Sequence, residues 1–408
     1  MVTVWFGVGQ FLSGAMGQLY PGGDNDACTL FNITDVHTNR PMRTYFRDRQ
    51  IHINGDIVYG IWKYIAQTGD YSILYEGAAE VILECARFYY SYAYFSKDEN
   101  RYEILNVVGP DEYHERVDNN AFTNMIVKHT LEIALKILKY MKKNSISDYN
   151  RIISELEFEK DIGKLEEMLE LLYIPAPDTD TLIIEQFKGY LDLEEISLEA
   201  LKERIIVPNE YLGGPNGLAT TTRIIKQADV IMMLHLFKEK FSKEVKKANW
   251  EFYEPRCEHG SSLSACAYAL VAADIGELNL AYKYFMKTAT VDLCGNTKQY
   301  LGSLYIGGTH PAANGGAWMT AVFGFAGLSY GEDVITINPQ IPDKWRKVKF
   351  KFLCKEQKYE VSVTKGMVII SADKNNIREC YFKVFGKFVH CKAGQKVIIE
   401  ADKTDLQK

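Results

Sequence analysis

The sequence of 408 residues lacks the features that mark several common classes of protein. Its lysines and arginines are scattered and its formal net charge is −6, so there is no clustered basic stripe to bind nucleic acid. No apolar run reaches the roughly 20 residues that would span a membrane. No basic segment followed by an apolar one surrounds Trp5, which argues against a secretion signal. We therefore expect a cytoplasmic protein that binds neither nucleic acid nor a membrane.

The cysteines also form no recognisable pattern. Eight are present, but no two form a CxxC pair, and no cysteine and histidine have the spacing of a zinc site. Scattered cysteines of this kind are typical of free thiols in a reducing compartment. We expect no disulfide framework, no metal and no other cofactor.

Apolar residues recur at helical spacing over most of residues 51–328, where the alternation typical of strands is nearly absent. Helices are predicted near residues 51–68, 73–96, 119–142, 148–172, 222–238, 243–255, 261–275, 279–290 and 315–328. After Tyr330 the pattern changes to short runs rich in β-branched residues, which predict six or seven strands. The sequence thus indicates a mainly α domain at residues 1–330 and a small, jelly-roll-like β-sandwich at residues 331–408.

Repeated helical pairs can stack into an open solenoid or close into a barrel. No fixed repeat period of the solenoid type is visible, which favours a closed α/α barrel. In such a barrel we expect the functional site at one end, on the loops that join the helices.

An acidic loop at residues 107–120 follows a glycine–proline break and precedes a long predicted helix. It contains three carboxylates and a histidine at Asp111, Glu112, His114 and Glu115. Because Pro110 cannot continue a helix, these residues should lie on a turn, where an acid can be presented to a pocket. The alternative is a polar surface loop in which Asp118 or Asn119 caps the following helix.

Two further loops carry polar residues at predicted helix starts. Lys226 and Gln227 interrupt an apolar run, although a lone lysine is more often a surface residue whose head reaches solvent. Ser261 and Ser262 follow Glu258, His259 and a glycine. Their hydroxyls and the free backbone N–H groups of a helix start could bind an anion, or the serines could simply cap the helix.

A glycine-rich loop at residues 307–318 contains His310, and Gly315 and Gly316 lead into the last predicted helix. Glycines in such a place allow a ligand to approach the backbone closely. The loop lacks the GxxxxGK[ST] pattern and follows a helix, so a nucleotide-binding P-loop is not expected. The alternative is a tight turn around a buried histidine.

The loops have complementary chemistry. One supplies carboxylic acids, and the others supply lysine, serine, histidine and backbone amides, which suit phosphate. Inverting cleavage of a glycoside needs an acid on the leaving oxygen and a nucleophile on the opposite face of the sugar. Because phosphate is already an anion, it needs no second carboxylate as base, and the combination indicates phosphorolysis.

Five segments carry a family resemblance: VVGPDEYHERVDNNAFTN, IHINGDIVY, IIKQADVIMML, HGSSLS and GGTHPAANGGAWMTAVFGFAGL. In this order they resemble the phosphorylases of glycoside hydrolase family 65, which act on maltose, trehalose, kojibiose and nigerose. The resemblance covers about residues 14–400. It implies an (α/α)6 barrel and inverting phosphorolysis of an α-linked glucose disaccharide to β-glucose 1-phosphate, with inorganic phosphate as a substrate.

The resemblance also implies roles for residues at matching positions. It makes Glu112 the general acid, and the position of Glu112 next to the glycine–proline break favours it over Glu115, which could cap the next helix. The implied phosphate-binding residues are Ser261, Ser262 and His310, with Gly315 and Gly316 lending backbone. The implied substrate contacts are Lys226 and Gln227 for the donor sugar and Glu258 and His259 for the choice of acceptor.

The sequence departs from the family at its beginning. Family members carry an N-terminal β-sandwich, a helical linker and first barrel helices with a Trp-Asp pair that grips the donor glucose. Here no sandwich-like pattern precedes residue 50, and Trp5 is not followed by aspartate. We therefore expect the C-terminal half of such an enzyme, with an incomplete barrel whose activity alone is in doubt. Its expected partner is a second copy or a separately encoded N-terminal half.

Two other functions are compatible with the same residues. A hydrolase of the family would use water and a second carboxylate as base, which the intact Ser261, Ser262 and His310 argue against. A non-catalytic scaffold with a sugar-binding cleft is compatible with the missing N-terminal half. The segment at residues 209–217 is expected to shape the acceptor side, and the linkage of the substrate stays open.

Overall fold

The computed structural model describes residues 33–402, apart from residues 36, 43, 209, 295–299, 302–303, 306–308 and 332–333. Its helices are α1 (Phe46–Arg49), α2 (His52–Thr68), α3 (Ala78–Tyr92), α4 (Ala121–Asn144), α5 (Ile146–Glu155), α6 (Glu159–Leu171), α7 (Leu198–Glu203), α8 (Val230–Leu236), α9 (Lys243–Tyr253), α10 (Ser264–Ile275), α11 (Leu278–Ala289) and α12 (Pro311–Met319). A π-helical turn at Thr320–Phe325 continues α12. None of the described helices is long and apolar enough to cross a membrane.

The helices pack as antiparallel hairpins because each has an apolar face and most are joined by short turns. Gly276, with a φ of 90°, ends α10 and lets the chain reverse into α11. Gly55 lets α2 approach α4, since a Cβ there would lie only 2.7 Å from Ile126. The buried Tyr89 hydroxyl accepts a hydrogen bond from the Gly55 N–H (2.7 Å) and donates one to the Ile51 carbonyl (2.8 Å). These contacts tie α3 to the start of α2.

Several predicted helix boundaries are wrong. The helix predicted at residues 148–172 is two helices, α5 and α6, because Glu157 between them has a φ of 49°. The end of the helix predicted at residues 73–96 is instead a hairpin of β3 (Tyr94–Ser96) and β4 (Arg101–Glu103). Helix α4 is capped by Asn120, whose side chain accepts from the Thr123 N–H, and not by Asp118 or Asn119.

The C-terminal part is a sandwich of two four-stranded sheets among the described residues. Its strands are β7 (Leu328–Tyr330), β8 (Val334–Ile337), β9 (Val348–Cys354), β10 (Gln357–Val363), β11 (Met367–Ala372), β12 (Cys380–Val384), β13 (Lys387–Cys391) and β14 (Lys396–Glu400), after short pairs β1 (Ile33–Thr34) with β2 (Pro41–Met42) and β5 (Tyr300–Leu301) with β6 (Leu304–Tyr305). One sheet has the order β14-β11-β10-β9, and the other has the order β13-β12-β8-β7.

Strict alternation of buried and exposed residues along β9 shows why a period of two predicted these strands. The two sheets contain eight described strands, where six or seven were predicted. Trp345 joins the sandwich to the helices, since its ring lies 5.1 Å from Phe285 and 5.2 Å from Phe325. The fold class is therefore confirmed as a helical region followed by a β-sandwich, whereas the domain boundary near residue 330 stays a prediction.

Candidate active site

The acidic loop is closed at its base by a pair of backbone hydrogen bonds. The N–H of Val107 donates to the carbonyl of Val117 (2.8 Å), and the reverse bond measures 2.9 Å. Asn119, with a φ of 53°, continues this base, because its N–H donates to the Ile104 carbonyl at 2.7 Å. The residues between Val107 and Val117 thus form a loop whose two ends are joined by hydrogen bonds, a shape that suits a segment that presents an acid.

Asp111 is the hub of this loop and is almost fully buried, with 1% of its surface exposed. Its Oδ1 accepts hydrogen bonds from the backbone N–H groups of Tyr113 (3.2 Å) and Lys226 (2.8 Å). Its Oδ2 accepts from Gln186 Nε2 (3.0 Å) and lies 2.6 Å from His114 Nδ1. Several donors are what a buried carboxylate requires, and here they join the acidic loop to the segment of Lys226.

The segment before α8 is extended, so the helix predicted at residues 222–238 is wrong for residues 222–229. The N–H of Ile225 donates to the Arg256 carbonyl (2.9 Å), and the Ile225 carbonyl accepts from the Glu258 N–H (2.8 Å). The Gly260 N–H donates to the Lys226 carbonyl at 2.9 Å. These bonds place the lysine loop alongside the loop that carries the serines.

Glu112 faces Lys226 across the site. The Lys226 Nζ makes a direct ion pair with Glu112 Oε2, and the two side chains are only 12% and 16% exposed. Gln50 Nε2 lies 3.5 Å from Glu112 Oε1, and the Tyr211 hydroxyl donates to the Glu112 carbonyl at 2.8 Å. Gln227 is buried, and its amide donates to the Pro110 carbonyl, so in this structure it braces the acidic loop.

Glu258 and His259 also lie against the acidic loop and the start of α10. The Tyr113 hydroxyl donates to Glu258 Oε2. His259 Nδ1 lies 2.9 Å from the Ser264 hydroxyl, and its ring packs 4.8 Å from Tyr268. Burial lowers the pKa of His259 to about 3, so its imidazole is neutral at pH 7.

The two predicted phosphate serines lie just before a helix. Helix α10 begins at Ser264, three residues later than predicted, and Ser261 and Ser262 are partly exposed in the preceding turn. The Ser261 hydroxyl accepts from the Leu263 N–H at 3.3 Å. Both hydroxyls therefore lie beside the N-terminal end of α10, where the helix dipole favours an anion.

His310 is oriented by Asp292, which sequence reasoning missed. The imidazole Nδ1 lies 2.7 Å from Asp292 Oδ1, and the His310 N–H donates to Oδ2 at 2.9 Å. These hydrogen bonds, the backbone one foremost, lower the pKa of Asp292 to about 2. An ionised Asp292 holds Nδ1–H as a donor, which leaves Nε2 for another partner.

Gly315 and Gly316 lie inside α12, because this helix begins at Pro311 and not at the predicted residue 315. Their amides belong to the hydrogen-bond ladder of the helix, so their small size is what they offer to a nearby ligand. Residues 307–308 of the glycine-rich loop lie outside the described residues.

The structure joins three of the four predicted loops directly through Asp111, Lys226 and Gly260. Within the described ranges, no hydrogen bond links His310 to these three loops. Helices α10 and α12 pack together, and Gly324 approaches Ala273 near their C-terminal ends. Their N-terminal ends, with the serines and His310, therefore lie at the same end of the helical region.

Two further acids border the site, Glu115 partly buried and Asp229 fully buried. Glu115 accepts a hydrogen bond from the Tyr45 N–H (3.0 Å) and does not cap α4, the role that its position in the sequence suggested. Burial, with a smaller effect of the charge on Glu112, raises the pKa of Glu115 to about 7. Asp229 is fully buried and accepts from Asn120 Nδ2 at 3.0 Å, and burial raises its pKa to about 7 as well. An acid that directly precedes the wholly apolar start of α8 is the sequence signal that could have revealed Asp229.

Comparisons with known proteins agree with this arrangement. Residues 13–319 match the profile of the glycosyl hydrolase family 65 central catalytic domain, and residues 328–390 match that of the family 65 C-terminal domain. A nigerose phosphorylase from Lachnoclostridium phytofermentans is 48% identical over 86% of this chain and 46% of its own length. A 1,2-alpha-glucosylglycerol phosphorylase from Bacillus selenitireducens is 41% identical over 89% of this chain and 47% of its own length.

A solved structure, a putative kojibiose phosphorylase from human microbiome, superimposes with a TM-score of 0.75 at 27% sequence identity. The match covers 86% of this chain and 50% of that one. The chain belongs to glycoside hydrolase family 65, and its helical region has the fold of the family's (α/α)6 barrel. It spans about half the length of the curated relatives it matches.

A substitution at Gly109 tests whether the acidic loop packs tightly against Asn120 and Asp229. In Gly109→Ala, the new Cβ would lie 2.5 Å from both Asn120 Nδ2 and Asp229 Oδ2, so we expect a loss of about 1–3 kcal/mol in the free energy of unfolding. The matched control is Gly163→Ala in α6, where a Cβ meets nothing and about 0.5–1 kcal/mol should be gained. Urea denaturation followed by circular dichroism measures both. Equal effects of the two substitutions would contradict the packing described here.

The raised pKa of Glu115 predicts that the stability of the protein depends on pH. Its pKa is about 7 in the folded protein against an ordinary 4.5, so the folded state binds this proton more tightly than the unfolded state does. Its contribution to stability is complete below pH 4.5 and is lost as the pH rises through 7. Between pH 5 and 8 the wild type should therefore lose more stability than Glu115→Gln, by no more than about 3 kcal/mol. Denaturation midpoints measured across this range should separate the two proteins, whereas the exposed Glu170→Gln should follow the wild type.

Proposed function

We propose that this protein catalyses the inverting phosphorolysis of an α-glucosidic disaccharide, which yields β-glucose 1-phosphate and the released sugar. The observation that carries the proposal is the contact between the Glu112 carboxyl and Lys226, on a loop that backbone hydrogen bonds join to the segment of Ser261 and Ser262. One acid thus lies beside groups suited to an anion, as phosphorolysis requires.

In the proposed reaction, a phosphate oxygen attacks the anomeric carbon on the face opposite the scissile bond. As the bond between that carbon and the leaving oxygen breaks, Glu112 transfers its proton to the leaving oxygen. Before this step Lys226 leaves its ion pair with Glu112, so that the carboxyl can take up the proton that it donates. Substrate binding would turn Lys226 toward the donor sugar, and Gln227 would complete that contact.

Phosphate would be held by the hydroxyls of Ser261 and Ser262 and by His310 Nε2, since Asp292 occupies the other ring nitrogen. Gly315 and Gly316 would let it approach α12. Phosphate is itself the nucleophile and is already an anion, so the proposed reaction requires no base and no cofactor. Glu258 and residues 210–217 would meet the acceptor, which is supported by the hydrogen bond from Tyr113 to Glu258 and by the contact of the Tyr211 ring with Tyr113.

The named relatives support the class of substrate. They include phosphorylases of nigerose, 1,2-alpha-glucosylglycerol and kojibiose, all compounds of α-linked glucose, and their different linkages leave the linkage used here open. A second copy of the chain or a separately encoded N-terminal half stays the predicted partner.

Phosphate dependence tests the proposed reaction. The chain, alone and with an N-terminal half of the family, is incubated with nigerose or kojibiose with and without phosphate. We expect cleavage only with phosphate, and glucose 1-phosphate as the product. Free glucose released equally fast without phosphate would contradict the proposal and favour the hydrolase, for which Glu115 is the neighbouring carboxyl. Absence of cleavage in every combination would favour a sugar-binding scaffold.

The assignment of the acid is tested by a matched pair of variants. Glu112→Gln should lower turnover by about 10²–10⁴-fold, the usual contribution of a positioned acid, while the disaccharide still binds. Glu115→Gln should retain most of the activity, because that side chain is engaged with the Tyr45 backbone. Turnover measured with saturating phosphate distinguishes them, and the reverse result would transfer the role of the acid to Glu115.

A further inference from the structure

A cavity of about 400 Å³ lies between the helical region and the β-sandwich. His235 and Lys238 line it from the helical side, and Thr336 and Lys383 line it from the sandwich. An adjoining cavity of about 110 Å³ shares His235 and Lys238 and adds Lys63. Both cavities thus contain positively charged side chains at the junction of the two parts of the chain.

This cavity is remote from the candidate active site. Helices α8 and α10 begin at the loops of Lys226 and Ser262 and end at the cavity, which His235 and Asp274 line from their last turns. At 1.5 Å per residue, Ser264 and Asp274 are separated by about 15 Å along the axis of α10. A ligand in the cavity would therefore share no residue with the candidate phosphate site.

In the described part of the chain, the ammonium groups of Lys238 and Lys383 have no ion-pair partner. Among the residues that the structure describes, no carboxylate lies within 4.0 Å of the Nζ of Lys238 or Lys383. Asp274 lines the cavity too, but it is paired with Lys246 at 2.5 Å. Burial lowers the pKa of Lys238, and the charges of Asp274 and Glu239 act in the opposite direction without forming an ion pair with it. An anion between these lysines would supply the missing charge.

Four neutral hydrogen-bonding side chains also line the cavity, among apolar residues and glycines. Hydroxyls and amides come from Ser329, Thr336, Asn338 and Gln340. His235 adds a neutral imidazole, because burial lowers its pKa to about 3. The Phe323 ring provides an apolar wall. Hydroxyls, amides and an aromatic face are the groups that bind a sugar ring. The second acid of the lining, Glu239, is exposed to solvent, as Lys383 is.

We propose that this cavity is a second ligand site, which binds a phosphorylated monosaccharide with its phosphate between Lys238 and Lys383. Its volume lies in the range of about 300–1,000 Å³ that is usual for small-molecule sites. The neutral groups would bind the sugar hydroxyls. The site is independent of the proposed reaction, although a product of that reaction belongs to the same chemical class.

Calorimetric titration with glucose 6-phosphate tests this site in a chain whose candidate phosphate site is disabled by Ser261→Ala, Ser262→Ala and His310→Ala. We expect binding to persist in this background and to weaken at least tenfold when Lys238→Gln and Lys383→Gln are added. The matched control adds Lys139→Gln and Lys374→Gln, two exposed lysines elsewhere, and should bind like the background. Glucose alone and inorganic phosphate alone should each bind at least tenfold more weakly.

Three results would overturn the proposal: no binding in the background variant, equal weakening by the two pairs of lysine substitutions, or phosphate binding as tightly as glucose 6-phosphate. If the double variant fails to fold, Lys383→Gln alone decides, because this exposed side chain is not needed for packing and its loss should still weaken binding at least threefold. The disaccharide assay is separate, so failure of either proposal leaves the other readable.

Discussion

The site depends on one buried carboxylate. Asp111 has almost no contact with solvent, yet it is bound by two backbone N–H groups, an amide and an imidazole. Taking a charge out of water costs several kcal/mol unless such donors replace the water. Because the donors come from the acidic loop itself, from Gln186 and from Lys226, satisfying Asp111 requires these distant segments to meet. Glu112 follows Asp111 directly and is thereby placed opposite the Lys226 ammonium.

The same constraint explains the other acids around the loop. Asp229 lies behind Asp111 and accepts its backbone N–H at 3.2 Å, so two buried acids are neighbours here. The charge on Asp111 adds to burial in raising the pKa of Asp229. Glu115 is in a similar position relative to Glu112. The charges on Asp111 and Glu112 thus help burial to keep their neighbours Asp229 and Glu115 protonated up to about neutral pH, which limits the repulsion within a small volume.

The local pattern of apolar residues predicted those helices whose bounds depend on that pattern. Helices such as α2, α9 and α11 begin and end within a few residues of the prediction, because their apolar faces repeat with the helical period. The prediction fails where backbone N–H and carbonyl groups form hydrogen bonds with residues far away in the sequence. Lys226 should continue a helix by its neighbours, but its N–H and carbonyl bond to Asp111 and Gly260 instead.

The same distinction holds for the site. Glu112, Lys226 and the serines stand in short motifs that can be read directly from the chain. The partner of His310 and the burial of Glu115 depend on contacts between segments far apart in sequence, with Asp292 and with Tyr45. No periodicity or spacing encodes such contacts. The sequence therefore predicted which types of residue the site contains, but not that Glu115 would be partly buried or that Asp292 would orient His310.

The most direct measurement of the central claim is the anomeric configuration of the sugar phosphate formed from an α-linked glucose disaccharide, read by proton NMR. A single acid at Glu112, with phosphate attacking the opposite face of the sugar, predicts β-glucose 1-phosphate from the first turnovers. Initial formation of α-glucose 1-phosphate, or of free glucose in the presence of phosphate, would contradict it.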